Sequence, residues 1–476
     1  MKRSIALIAS LALAGCSMGP RHIDAHPALP ADGGAGASLA PITPEHGPVQ
    51  TIAVGADAPS TWWTSFACPG LDRLVDQALH ANEDIHVAEA TLRQTQELAA
   101  AAGGAALPQI DGSYQAQRAR TSAGLAPPVT DPNQLLYSLH SAQLTITYPL
   151  DIFGGVHSKI RSAHAAADVQ RYRLRAARQT AVANLVNAVI LRASLAAQID
   201  ATRASIAANR DILILLQKRQ ALGTVGAADV STQQTALALA ETALPPLLRA
   251  ETHERALIAI LLGQPAGTDI PDLPGQSCLA LPRTIPVAIP SALVARRPDI
   301  LAAGAQLAGA GADLGTAIAA RLPSIQLTAS AGGIAQDFGS MFVDGNPFWS
   351  LIGGITQPIF HAGALLHQQH AAEAALDVTK AQYRAAVLQA FLDVSDALTG
   401  LRTDAQALDA SDRAASAAAK SFGFAKRQLE LGDAGTLTVL TAAAANAQAQ
   451  AQLIQARSAR LSDMVALYQA SGGGID

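Results

Sequence analysis

The chain has 476 residues, of which 50% are apolar, only 4% aromatic and 15% charged, with a formal net charge of −4. That apolar content excludes an intrinsically disordered chain, and the small negative charge argues against a nucleic-acid partner. Alanine makes up much of the apolar share, which favours long helices in close approach over a bulky globular core.

Lys2 and Arg3 precede an apolar run from Ile5 to Ala14, and Leu13-Ala14-Gly15-Cys16 follows. A charged start, a short apolar stretch and a small-residue cleavage site form a secretory signal, too short to persist as a membrane helix. The final four residues fit the bacterial lipobox, with removal of residues 1–15 and a lipid on Cys16; an ordinary signal with an incidental cysteine is the plainer alternative. Ser17 suits an outer-membrane address. No uninterrupted run of about 18 apolar residues follows, so a mature span would have to be a barrel.

Strand signals come next. Ile110, Gly112, Tyr114 and Ala116 alternate with Asp111, Ser113, Gln115 and Gln117, and Ala142, Leu144, Ile146 and Tyr148 alternate with Gln143, Thr145 and Thr147. Later in the chain Ile325, Leu327, Ala329 and Ala331 alternate with Ser324, Gln326, Thr328 and Ser330, followed by Trp349, Leu351, Gly353 and Ile355. Period-two runs of about ten residues suit tilted transmembrane strands, one face to lipid and one to a wet lumen. Half-buried hairpins on a soluble sheet would show the same alternation. Four strands cannot close a barrel, which needs about eight, so several chains must share one, and trimers would give about twelve strands.

Between and after these pairs, residues 155 to about 221 and 363 to about 429 run without proline. At 1.5 Å per residue each helix is on the order of 100 Å long, more than a compact domain needs. Ile190, Leu191, Leu195 and Ile199, and Val387, Leu388, Phe391 and Leu392, recur at helical spacing, as in a coiled-coil wall. An intracellular structural coiled coil shares that pattern but lacks the lipobox and the strand pairs.

The halves repeat each other. Leu222-Gly223-Thr224-Val225-Gly226 returns without a gap 209 residues later as Leu431-Gly432-Asp433-Ala434-Gly435. Leu107-Pro108 answers Leu322-Pro323, and Tyr148-Pro149-Leu150 answers Gln357-Pro358-Ile359. The division expected is a signal at 1–15, a lipidated equatorial segment at 16–70, repeat one at 71–262, a Pro-rich link at 263–290, repeat two at 291–470 and a tail at 471–476. Each repeat reads helix, two strands (about 108–120 and 136–149; about 323–336 and 348–359), then two long helices around a turn at 222–229 or 431–438.

In order, Thr61-Trp62-Trp63-Thr64-Ser65-Phe66, Leu71-Asp72-Arg73-Leu74-Val75, Leu293-Val294-Ala295-Arg296-Arg297-Pro298-Asp299-Ile300, Phe348-Trp349-Ser350-Leu351 and the paired Leu-Gly turns resemble a TolC-like outer-membrane factor, of the NodT-type lipoprotein branch of tripartite efflux systems. The resemblance covers essentially the whole mature chain, with residues 296–300 its most specific part. It implies a mixed fold, all-α plus transmembrane β: a trimeric 12-stranded outer-membrane barrel continuous with a 12-helix periplasmic barrel. It further implies an adaptor protein, an inner-membrane pump, membrane lipid around the barrel, and no cofactor or catalytic residue. A protein-secretion duct of the same architecture and a pore-less structural lipoprotein are the alternatives. No nucleophile elbow, phosphate loop, zinc signature or convincing carboxylate pair suggests an enzyme.

Carried over by position, the resemblance puts adaptor docking on Gly223, Val225, Gly226, Gly432 and Gly435, and the periplasmic gate around Asp229, Leu431, Asp433, Leu437, Thr438 and Thr441. The chain departs from the pattern here. The Tyr, the Arg and the acidic lumen rings of similar proteins are replaced by Leu429, Ala434, Thr438 and Thr441, leaving Asp229 alone. Losing the cation deletes a charge-assisted bond worth about 1.5–3 kcal/mol if desolvated. Asp433, Lys426 or Arg427 could stand in, or closure could be apolar through Leu431 and Leu437, with a less cation-selective lumen. Cys68 and Cys278 fall in segments the resemblance assigns to the equatorial belt of an exported chain, where a disulfide and two buried thiols both fit. His361, His367 and His370 have ligand-like spacing, but no Cys or carboxylate completes a site, and no metal is expected. Pro298 and Asp299 suit a first helical turn. Trp62 and Trp63 suit equatorial packing and Trp349 a membrane interface.

Overall fold

The computed structural model describes residues 40–43, 49–56, 58–125, 127–129, 131, 133–287, 290–433 and 435–473. Cys16 and the expected signal lie outside the described residues. In chain order the elements are β1 (Thr51–Val54), a 3-10 turn (Trp62–Phe66), α1 (Pro69–Ala81), α2 (Glu83–Gly104), β2 (Gln109–Arg120), β3 (Leu136–Leu150), α3 (Gly155–Ala221), α4 (Ala227–Thr242), α5 (Leu244–Leu261), β4 (Thr284–Val287), α6 (Pro290–Arg296), α7 (Pro298–Ala319), β5 (Ser324–Ala335), β6 (Pro347–Thr356), α8 (Ala364–Leu431) and α9 (Thr436–Ala470). They divide between two compact units, one built from residues 92–170 and 303–383, the other from the remaining described residues.

The first unit holds a four-stranded antiparallel sheet in the order β2-β3-β5-β6. Its register puts Ile110, Gly112, Tyr114 and Ala116 opposite Ile146, Leu144, Ala142 and His140, and sets Leu144 and Ile146 opposite Ala331 and Ala329. Ala331 and Ala329 in turn face Trp349 and Leu351. The alternating apolar positions therefore fall on one face of all four strands. That face is bare: Ile110 is 66% exposed, Trp349 80% and Ile355 72%. The opposite face carries Ser113 across from Gln143, and Thr145 across from Ser330, with the Ser330 and Ser350 hydroxyls 2.7 Å apart. Among the described residues β2 and β6 each have one neighbour, leaving two open edges.

The second unit buries the aromatic signature. Trp62 is fully buried and stacks on Tyr468 at 5.3 Å, while the Ser65 and Tyr468 hydroxyls lie 3.0 Å apart. Around them pack Phe66, Leu71 and Val75 with Val182, Val186 and Leu398 from the long helices. β1 and β4, four residues each, pair in parallel, so the Pro-rich link and the N-terminal segment build one small sheet. A disulfide joins Cys68 to Cys278 beside this core, with Cα atoms 5.4 Å apart.

The long helices α3 and α8 have 67 and 68 residues, on the order of 100 Å each. One 18-residue window of α3 is apolar enough for a membrane span by composition, yet 67% of it is buried within the protein. The two returning helices differ. α9 is continuous, whereas the expected single long helix of repeat one breaks at Ala243 into α4 and α5. Pro245 and Pro246 supply no amide hydrogens, so the preceding turn loses its i−4 donors. Their counterparts 209 residues on, Ile454 and Gln455, are mid-helix.

The disulfide encloses a 210-residue separation and fixes the head of α1 to the link between repeats. Replacing both cysteines by serine should lower stability by about 2–5 kcal/mol, read as a drop in calorimetric Tm in detergent. An unchanged Tm would remove the bond from the list of stabilising features.

Candidate functional site

The two turns that split the long helices have one backbone design. Gly223 and Gly432 adopt φ of +74° and +91°, the left-handed region that a side chain disfavours. Gly223 N–H donates to Gln220 O and Thr224 N–H to Arg219 O; Gly432 N–H donates to Leu429 O and Asp433 N–H to Gln428 O. Both are Schellman closures, which satisfy the orphan carbonyls at a helix end. Gly226 and Gly435 then cap α4 and α9 in extended conformation. Space is open around Gly223, Gly432 and Gly435.

Four helices meet behind these turns. Ile212 and Leu216 of α3, Val230 of α4, Leu429 of α8 and Val439 of α9 are buried together, with Val225 packed against them. Arg219 Nη2 donates to Glu430 O at 3.0 Å and ties one turn to the other. Leu431 and Leu437, expected to supply an apolar closure, are 68% and 72% exposed; Leu429 and Val439 do the burying instead. The helical phase explains it, because positions two apart on a helix point to different sides. Asp229 accepts the Gly226 N–H at 3.3 Å, a local cap, and neither Asp433, Lys426 nor Arg427 pairs with it among the described residues. Thr441 turns its hydroxyl onto its own helix, at 3.1 Å from Leu437 O, and Thr438 is exposed. Ala434 lies outside the described residues.

The strongest electrostatics sits away from the turns. Arg297 is nine-tenths buried and donates to Asp299 (2.7 Å), Asp393 (2.8 Å) and Ala470 O (3.1 Å). Burial opposes its charge, but the bonds and charge of Asp299 and then Asp393 outweigh that and raise its pKa. From sequence, Pro298 and Asp299 suit a first helical turn and nothing more. The cation is what joins α7 to α8 and α9, and its partner 96 residues away left no local signal. Nearby, Arg460 is fully buried, donating to Gln50 Oε1 at 2.8 Å. Burial lowers its pKa, with Asp409 and Asp404 pulling the other way. Asp463 is pushed up to about 6, by burial first and then by the charge and hydrogen bond of Asp404. A cavity of about 610 Å³ is lined by Arg297, Asp299, Asp393, Asp396 and Asp463 among others. A second, of about 560 Å³ and mostly apolar, lies between α3, the α4–α5 break and α9. The His367 and His370 rings stand edge to face 6.1 Å apart, and no group of three or more His, Cys, Asp or Glu is placed to hold a metal among the described residues.

The outer membrane efflux protein family model matches residues 74–264 and 289–473. The chain belongs to this family. It is 30% identical over 419 residues to the pyoverdine export outer membrane protein OpmQ of Pseudomonas putida, covering 87% of this chain and 88% of that one. It is also 30% identical over 482 residues to the toluene efflux pump outer membrane protein TtgF of Pseudomonas putida, covering 99% and 96%. The outer-membrane channel OprN superposes with a TM-score of 0.87 at 24% identity, over 96% of this chain and 99% of that one. The protein is thus an outer-membrane exit duct of an efflux pump, on the TolC-like channel fold.

Asp463 makes stability pH-dependent. Its folded pKa of about 6 exceeds the 3.8 of an ordinary aspartate, so the folded state holds the extra proton in between, and stability falls as pH rises from about 4 through 6. Asp463→Asn mimics the protonated form. It should flatten the Tm profile between pH 4.5 and 8 and raise Tm at the alkaline end; a profile parallel to the parent protein would reject the assignment.

Proposed function

We propose that three copies of the chain close one twelve-stranded barrel in the outer membrane, carried on a twelve-helix periplasmic tube and anchored by lipid on Cys16. The observation that carries this reading is the four-stranded sheet with two open edges and a bare apolar face. In hydrocarbon every strand edge must be paired, and β6 of one copy against β2 of the next meets that demand with the fewest additions. The lumen is then the face of Ser113, Gln143, Thr145 and Ser330. No group on it resembles a catalytic centre, which suits a passive conduit whose cargo is chosen by an inner-membrane pump. Drugs or small toxic organic compounds are the cargo we assign, in line with the toluene efflux relative.

The paired turns are the docking surface for a periplasmic adaptor. Gly223, Gly226, Gly432 and Gly435 leave the backbone accessible, with Val225 supporting it from behind. Closure of the periplasmic end, in this reading, rests on the Arg219 contact to Glu430 and the buried Leu429 and Val439 beside it, in place of an Asp229 ion pair. Thr438 and Thr441 add no charge to the tube.

Native mass of the lipidated protein in mild detergent, together with its conductance in planar bilayers, tests the assembly: a trimer that conducts is expected, and a stable monomer without conductance would end the duct reading. Gly432→Val tests docking. It forces a β-branched residue into left-handed backbone at a cost of about 1–3 kcal/mol and should abolish export in cells while leaving trimer mass and conductance intact; unimpaired export would move the docking surface elsewhere.

A further inference from the structure

The loop between β5 and β6 does not stand away from the sheet. Met341 O lies against Gly333, where an added Cβ would sit 2.0 Å from it, so only glycine allows the approach. Phe338 meets Tyr114 edge to face at 5.7 Å, and Tyr114 stacks on His140, its hydroxyl 2.8 Å from the ring nitrogen Nδ1. Gly333, Tyr114 and His140 all belong to the apolar face, by register. The loop is therefore folded back over the side assigned to lipid.

Three of its polar side chains, Asp337, Ser340 and Asn346, are paired within the loop. Ser340 donates to Asp337 at 2.7 Å, and Asn346 donates to Ser340 O at 2.7 Å. Met341 is buried, while Phe338, Phe342 and Val343 are 65%, 67% and 56% exposed. A pre-folded loop with its own hydrogen bonds closed and three large apolar side chains outward extends the apolar band of the sheet. Farther along β2, toward the end from which this loop springs, the same face continues with Arg118 and Arg120, opposite Ser138 and Leu136. Both arginines are exposed and have no ion-pair partner among the described residues. Two carboxylates of the same loop, Asp337 and Asp344, are also exposed; Asp337 is engaged by the Ser340 hydroxyl, and both oppose the arginine charge, so any phosphate binding rests on Arg118 and Arg120 locally and not on a net positive surface.

An apolar shelf bordered on its outer side by cations matches one ligand chemistry: a lipid with acyl chains and a phosphate-bearing headgroup. We propose that the β5–β6 loop and the outer end of β2 form a binding surface for a phosphorylated lipid of the outer leaflet, acyl chains on Phe338, Phe342 and Val343 and phosphates on Arg118 and Arg120. The surface adjoins the lipid band and rests on the barrel reading above.

The full chain in phosphatidylcholine vesicles separates the two. Trp62 and Trp63 are buried in the other unit, so quenching of tryptophan by chain-brominated lipid reports Trp349 and hence the barrel. A fluorophore on Phe342→Cys reports the loop. Quenching of both is expected; a quenched Trp349 with a loop label reached only by aqueous iodide overturns the inference while sparing the barrel, and failure of both overturns both. For the headgroup, lipid A retained through gel filtration should fall about fivefold for each arginine replaced in Arg118→Gln and Arg120→Gln, with trimer mass unchanged. Equal retention of lipid A and the zwitterionic phosphatidylcholine by the parent protein would refute the pairing of the arginines with an anionic headgroup.

Discussion

A sheet that must be wet on one face, oily on the other and paired at both edges cannot be completed by four strands. The hydrogen-bond ladders from β2 to β6 are full inside the sheet, and the outer edges of β2 and β6 carry unmet donors and acceptors. Water could satisfy them, but the face they border exposes Ile110, Leu144, Trp349, Leu351 and Ile355. An edge in water and a face in lipid are incompatible demands, and in the trimer we propose, association of identical sheets removes the conflict at no cost in new sequence.

Buried charge is concentrated where the helices are braced, in the second unit. Arg297 holds two carboxylates and the last carbonyl of α9, and Arg460 is enclosed with Gln50 beside the Asp404–Asp463 pair. Desolvating such groups is costly unless they are bonded to one another, so they fix the relative placement of α7, α8 and α9 more than they add net stability. The turns at the helix ends show the reverse economy: small residues, few polar partners, and a thin apolar layer of Ile212, Leu216, Val230, Leu429 and Val439.

Local rules account for what the sequence made legible. Alternation of period two marked all four strands because both faces of each strand meet a different environment, and the absence of proline marked α3 and α8 almost to their ends. The left-handed backbone at Gly223 and Gly432 was likewise written in residue type. What escaped was non-local. Asp393 and Asp463 lie far along the chain from Arg297 and close to one another only in the fold, and β1 and β4 are too short to show a period. The break at Ala243 is a different failure: Pro245-Pro246 was visible, but the likeness of the two repeats carried the continuity of α9 onto a helix that lacks it.

That break separates what duplication preserves from what it releases. The two turns share the same pair of closing hydrogen bonds, because any chain reversing between two antiparallel helices at that point needs a left-handed residue and capped carbonyls. The returning helices are under no such demand. Pro245 and Pro246 remove two backbone hydrogen bonds from the returning helix of repeat one, and the packing beside them is loose. The apolar cavity of about 560 Å³ lies there, lined by Ala240, Ala243 and Pro246 on one side and by Ala443, Ala444 and Ala447 of α9 on the other. Alanine against alanine leaves room for a helix to bend, whereas the buried Leu453 and Ile454 of the unbroken α9 leave little. The two halves are therefore alike in their turns and unlike in the continuity and packing of their returning helices.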